Sequence, residues 1–202
     1  TTTMKKPKRD WQVLLVGGAS GVGKTKLSYQ LARHYGVNLI EQDDFQAFIE
    51  HLTTPEQQPL LHVWRTNWDE FIAWSDEQHL EHFIQVSREI FQPGFEAVIA
   101  NRLEAKSSAI LEGDFILPEL AAKTTFADEA NEGRVQALFL YEENEAQVAA
   151  NYLAREGEEQ ALRAHWSWLA NQWLRSECER LNVPVLSARP WHTVLERAIS
   201  ML

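Results

Sequence analysis

Five short, continuously apolar runs punctuate the chain: 12–16 (QVLLV), 37–41 (VNLIE), 109–112 (AILE), 135–141 (VQALFLY) and 184–187 (PVLS). Continuous apolar character, in place of strict alternation, suits strands covered by helices on both faces. Between the runs apolar positions recur at three and four, and no hairpin signal joins one run to the next. That alternation predicts a doubly wound α/β fold with a parallel sheet. The stretch between the second and third runs, 45–107, carries no convincing strand. From Asn67 onward, Trp68, Phe71, Ile72, Ser75, His79, Phe83, Val86 and Ile90 follow a helical spacing. Pro93-Gly94 is predicted to stop that helix, and Phe95, Val98, Ile99 and Arg102 to begin another. A second helical tract, 144–181, breaks near Gly157 and resumes on the side of Trp166, Leu169 and Trp173. With no repeat or linker, residues 1–202 read as one domain.

Composition narrows the class. A chain of 202 residues that is 45% hydrophobic fits one globular α/β core with a helical insertion. Its formal charge of −10 repels phosphate backbones and anionic bilayers, so neither nucleic acid nor a membrane is the predicted partner. Cys178 is the only cysteine, which excludes an intramolecular disulfide and a thiolate zinc cluster and fits a reducing cytoplasm. The first ten residues are polar and basic with no apolar core behind them, so no signal peptide is expected. The expectation is a soluble cytoplasmic protein, a monomer or homodimer.

The chemistry begins directly after the first run. Gly18-Ala19-Ser20-Gly21-Val22-Gly23-Lys24-Thr25 satisfies G-x-x-x-x-G-K-[ST], the pattern of a phosphate-binding loop. Glycines allow positive φ and bring backbone N–H groups around a β-phosphate, and the following helix adds the positive end of its dipole. Lys24 is expected to reach the β- and γ-phosphates, and the Thr25 hydroxyl to ligate Mg²⁺. ATP and Mg²⁺ are therefore the predicted cofactors.

Ligands of doubly wound sheets lie beyond the carboxyl ends of the strands. The second run ends in Glu41-Gln42-Asp43-Asp44-Phe45, where Asp43 is expected to act as general base. Asp44 is either a partner in that role or a helix cap. The third run ends in Leu111-Glu112-Gly113-Asp114, and Glu112 and Asp114 compete for magnesium. Arg155 and Arg163, on either side of Gly157, are placed to close over a transferring phosphoryl group. The tryptophans Trp64, Trp68 and Trp74 read as packing, and His79 and His82 lack a third metal ligand.

Together these residues resemble the P-loop kinases of small metabolites, a group that includes nucleoside, nucleoside monophosphate, nicotinamide riboside, gluconate and 2-phosphoglycerate kinases. Gln42-Asp43-Asp44-Phe45 is similar to the strand-end motif of the uridine and nicotinamide riboside kinase branch, which implies that Asp43 is the base. Trp68-Asp69 resembles the pair whose aspartate binds substrate hydroxyls there, which implies substrate contacts for Asp69, Trp68 and Asp44. The resemblance implies a three-layer P-loop fold with a five-stranded parallel sheet in the order 2-3-1-4-5. It also implies a helical insert over the substrate and a helical lid carrying Arg163. Lys26 follows Thr25 where many of these kinases have a second Ser or Thr, and the lid lacks a dense arginine cluster. By fold position, Lys26 and Arg189 would border the nucleotide, Arg189 on the adenine side. The predicted activity is transfer of the γ-phosphoryl group of ATP to a hydroxyl of a small metabolite, a nucleoside or ribosyl compound by this resemblance. The competing reading is a nucleotide-dependent switch or regulatory ATPase. Asn-Lys-x-Asp and Leu-Ser-Gly-Gly-Gln, which mark two familiar forms of that class, are absent from the sequence.

Overall fold

In a computed structural model, which describes residues 7–202, each apolar run supplies a strand of one parallel sheet. The polar residues 1–6 at the N-terminus lie outside the described residues. β1 (Val13–Gly17) leads into α1 (Lys24–Tyr35) and β2 (Asn38–Glu41). The insert follows as α2 (Gln42–Leu52), α3 (Pro59–Thr66), α4 (Trp68–Ile72), α5 (Asp76–Val86) and α6 (Gln92–Glu104). β3 (Ala109–Glu112), α7 (Pro118–Ala121), β4 (Thr125–Phe126), β5 (Glu129–Ala130) and β6 (Val135–Tyr141) come next. The chain continues as α8 (Glu145–Glu156), α9 (Ala161–Leu181), β7 (Val185–Ser187) and α10 (Val194–Met201).

The sheet runs β2-β3-β1-β6-β7, which is 2-3-1-4-5 when the five parallel strands alone are counted. Every residue of β1 and β3 is buried, as expected of strands covered on both faces. α1 packs with α10 over one face, while α6, α7 and α9 cover the other. Register sets the chemistry level, because Glu112 on β3 lies opposite both Val16 on β1 and Glu41 on β2. The strand ends predicted to carry function therefore finish on one rim.

Three details depart from the sequence reading. The helix expected to run unbroken from Trp68 is cut before α5, where Ser75 caps the new helix. Ser75 Oγ accepts from the Gln78 N–H at 3.3 Å while Gln78 Oε1 accepts from the Ser75 N–H at 2.9 Å, a reciprocal capping box. Pro93-Gly94 does not stop the following helix. Ser87–Phe91 instead forms a π-helical turn, with the Gln92 N–H bonding to Ser87 O, and α6 continues from it. A wider turn accommodates the donor that Pro93 lacks without ending the helix. Finally, β4 and β5 form a two-residue antiparallel hairpin between β3 and β6, although no hairpin was expected there.

No helix among the described residues is long and apolar enough to cross a membrane.

Candidate active site

The rim of the sheet opens into a cavity of about 1240 Å³. Its floor is the loop between β1 and α1. Gly23, at φ 98°, precedes α1, and no side chain caps that helix or places an acid in its first turn. The exposed N–H groups and dipole end are thus left for an anion. Gly21 has φ 80°, and a Cβ there would sit 2.9 Å from Tyr152. A Cβ on Gly23 would sit 2.7 Å from the Trp191 ring. Both glycines are required by backbone conformation and by the walls built against them.

Lys24 is buried, and its Nζ donates to the Ala19 carbonyl at 3.0 Å and to Asp114 Oδ1. Burial alone would lower its pKa, but Asp114 and Glu112 outweigh it and raise the value. The Thr25 hydroxyl donates to Glu112 Oε1 at 3.0 Å. Burial pushes the Glu112 carboxyl up to about 7, against the opposing effects of Lys24 and the Thr25 hydrogen bond. The two acids that competed for magnesium thus both face the loop, Glu112 bonded to Thr25 and Asp114 to Lys24. Among the described residues no group of three or more His, Cys, Asp or Glu converges as a metal site, His79 and His82 included. A cation here would complete its shell with phosphate oxygens and water, as magnesium does.

α2 separates the two aspartates of its first turn. Asp43 lines the cavity with Gln46, Ala47 and Glu50, at i, i+3, i+4 and i+7. Asp44, about 100° further round the helix, faces a separate groove beside Phe45 and Arg102. Desolvation at the cavity wall raises the Asp43 pKa, Asp114 and Glu41 add to this, and Lys24 and Arg155 partly offset it. Asp44 does not cap α2, whose cap position is Glu41. Gln42 is buried, and its Oε1 accepts from the Phe115 N–H at 2.6 Å. This bond ties the start of α2 to the loop carrying Asp114.

The opposite wall comes from α8 and α9. Arg155 and Arg163 both line the cavity and stack on the buried Tyr152 ring, at 4.8 and 4.9 Å from its centroid. Both also pair with Glu156, at 2.8 and 3.5 Å. Arg189 lies deeper, donating from Nε to Glu142 Oε2 at 3.1 Å and from Nη2 to Asn151 Oδ1 at 3.1 Å. Lys26 sits 5.2 Å from the centroid of Trp191, a further cavity residue.

Trp68 and Asp69 are not brought to the cavity. Asp69 is exposed, and Trp68 packs near Phe71 and Trp166 at 6.0 and 6.3 Å. That cluster also holds His79, stacked on Trp166 at 4.2 Å, and it joins the insert to α9. Beside it, His165 on α9 bonds Glu145 at 2.8 Å and Asp76 at 3.0 Å. The sequence reading missed Gln46, Glu50, Arg65, Asn151, Tyr152 and Trp191. Only the i, i+3, i+7 phase from Asp43 could have signalled the first two.

No protein-family profile matches the chain. Part of it is 30% identical, over 118 residues, to a 2-phosphoglycerate kinase of Methanococcus maripaludis; the match covers 54% of this chain and 37% of that protein. Part is also 24% identical, over 109 residues, to a mevalonate-3-phosphate 5-kinase of Thermoplasma acidophilum, covering 54% of each. The chain thus spans about half or less of the length of these relatives. A sugar kinase structure from Janibacter superposes with a TM-score of 0.53 and 24% identity, covering 94% of this chain and 93% of that one. The chain has the fold of the P-loop small-metabolite kinases, and its matched relatives are small-metabolite kinases.

Proposed function

We propose that the protein is a kinase that uses Mg·ATP to phosphorylate a hydroxyl of a small anionic metabolite. One observation carries this reading: a single cavity gathers the phosphate loop, Glu112 and Asp114, Asp43, and the paired arginines of α8 and α9. The residues fit the nucleotide. The N-terminus of α1 has no side-chain cap, Lys24 already holds an acidic partner, and Thr25 and Glu112 present adjacent oxygens. Bound Mg·ATP would supply an electrophilic phosphoryl group and a cation that spreads its negative charge. Lys24 would exchange Asp114 for phosphate oxygens, and Thr25 with Glu112 would hold the magnesium shell. Asp43 would take the acceptor's hydroxyl proton, its raised pKa bringing it nearer to working pH. Arg155 would leave Tyr152 to neutralise charge on the transferring group.

Several features favour an anionic acceptor over an unphosphorylated nucleoside. Trp68 and Asp69, on which the ribosyl reading rested, lie away from the cavity. Arg65 lines the insert side, pairing with Glu50 at 2.5 Å. Both matched relatives are named for phosphorylated acceptors. The single cysteine, buried and pushed up to about 12, is consistent with a cytoplasmic setting.

The test is coupled ADP release with Mg·ATP against nucleosides, sugar acids and phosphorylated hydroxy acids, with Lys24→Ala alongside. Release that requires a phosphorylated or carboxylated acceptor and vanishes in the variant supports the proposal. Acceptor-independent hydrolysis would replace it with a regulatory ATPase.

A further inference from the structure

Helix α8 reaches the phosphate loop through more than its arginine. Asn151 Nδ2 donates to the Gly21 carbonyl at 2.8 Å, across a sequence separation of 130 residues. Its Oδ1 accepts from Gln147 Nε2 at 2.9 Å and from Arg189 Nη2 at 3.1 Å. Donor and acceptor ends of the amide are therefore each committed, and reversing it would break all three bonds. The same helix packs on Gly21: a Cβ there would meet Tyr152 at 2.9 Å and Val148 at 3.3 Å. Arg189 is held in turn by Glu142, which is buried, and the Glu142 backbone is bonded in both directions by Asn171 of α9. The chain of contacts runs from α9 through the end of β6 and Arg189 to the crown of the loop.

A trans peptide is planar, so its C=O and N–H point in opposite directions. Anchoring the Gly21 carbonyl on α8 consequently fixes the direction of the Val22 N–H on the far side of the same peptide. We propose that Asn151 is a positioning residue of the phosphate cradle, holding the Gly21–Val22 peptide so that the Val22 N–H faces the β-phosphate. It rests on the reading of residues 18–25 as a nucleotide cradle but not on the identity of the acceptor. Because Arg155 lies one turn along the same helix, the arrangement couples loop geometry to the placement of that arginine.

The experiment titrates purified protein with the fluorescent nucleotides mant-ADP and mant-AMP in the presence of Mg²⁺. Asn151→Leu keeps the volume and removes the hydrogen bonds, and Asn151→Ala removes both. The expected result is a loss of about tenfold in mant-ADP affinity, the effect of one oriented hydrogen bond to a charged group, with mant-AMP affinity changed by less than about twofold. A purely structural role would weaken both nucleotides together, and that outcome, or unchanged ADP affinity, overturns the proposal. Should the variants not fold, the wild-type Val22 amide provides the readout by ¹⁵N–¹H spectroscopy. A downfield move with ADP but not AMP supports the proposal, and its absence sinks it. Wild-type protein that binds neither nucleotide brings down the cradle reading with it, whereas failure to find an acceptor leaves this test intact.

Discussion

The Thr25 hydroxyl donates to the Glu112 carboxylate across 3.0 Å, joining the first turn of α1 to the end of β3. Both groups are drawn from the rim where magnesium is proposed to sit, and the carboxylate is 4% exposed. A buried acid without a cation is held partly protonated, so the site is strained electrostatically until a counter-charge arrives.

That strain gives a stability prediction with a definite sign. The folded Glu112 pKa of about 7 exceeds the unfolded 4.5, so the ligand-free protein loses stability as pH rises through this window. The loss approaches about 3 kcal/mol at most. Glu112→Gln should therefore melt higher than wild type at pH 8 and nearly level with it at pH 4.5, while phosphoryl transfer falls sharply. Calorimetry at the two pH values decides this, and a lower melting point at pH 8 would contradict it.

Asp43 offers a cleaner separation of binding from chemistry. Asp43→Asn keeps the shape of the cavity wall and removes the proton acceptor. Turnover should fall by about 10²–10⁴-fold with the KM for ATP within about twofold of wild type. The neighbouring Asp44→Asn, turned away from the cavity, should leave both parameters near wild type. Equal losses in the two variants would argue against Asp43 as the base.

Arg65 should govern the acceptor alone. Its guanidinium pairs with Glu50, which also accepts from Gln46 at 2.9 Å. Arg65→Ala is expected to raise the acceptor KM by about tenfold or more, the effect of a lost charged hydrogen bond, and to spare ATP affinity. Initial rates with each substrate varied in turn would show whether the effect is confined to the acceptor.

The insert and the helices facing it carry a histidine clasp. Hydrogen bonds from Glu145, and further from Asp76, raise the His165 pKa despite some desolvation. Its contribution is thus fully present below about pH 6.5 and disappears as pH rises through the raised value. The groups are about half exposed, which limits the effect to roughly 1 kcal/mol or less. His165→Ala should lower the melting temperature at pH 6, the more so at low salt, and leave it unchanged at pH 9. His79 and His82 work in the opposite direction. Burial chiefly lowers both pKa values, so their neutral packing weakens as pH falls through about 6.5.

The sheet and its strand order were readable because helix-covered strands must be apolar throughout; each observed strand lies within one residue of its predicted ends or extends one beyond. The phosphate loop was readable because its glycines and Lys24-Thr25 are contiguous. Where several residues cooperate from distant parts of the chain, no local pattern records it. Asn151 and Arg189 stand 38 residues apart, and Asn151 and Gly21 are further still. The adjacent carboxylates Asp43 and Asp44 could be told apart only once α2 was known to begin at Gln42, which fixes which side of the helix each occupies. The hairpin at Thr125–Phe126 escaped notice because two-residue strands leave no periodic signal.

The turn at Ser87–Phe91 sets the rotational phase of everything after it in the insert. Buried positions step by five from Val86 to Phe91, then by four through Phe95, Ile99 and Leu103. Removing a single residue from 87–91 would restore an uninterrupted α-helix yet turn α6 by about 100°. Phe95, Ile99 and Leu103 would then leave the core, and charged neighbours such as Glu96 would enter it. Length in this one turn is therefore under tighter constraint than residue identity, and an insertion elsewhere in the insert's loops is a far milder lesion than a one-residue deletion here.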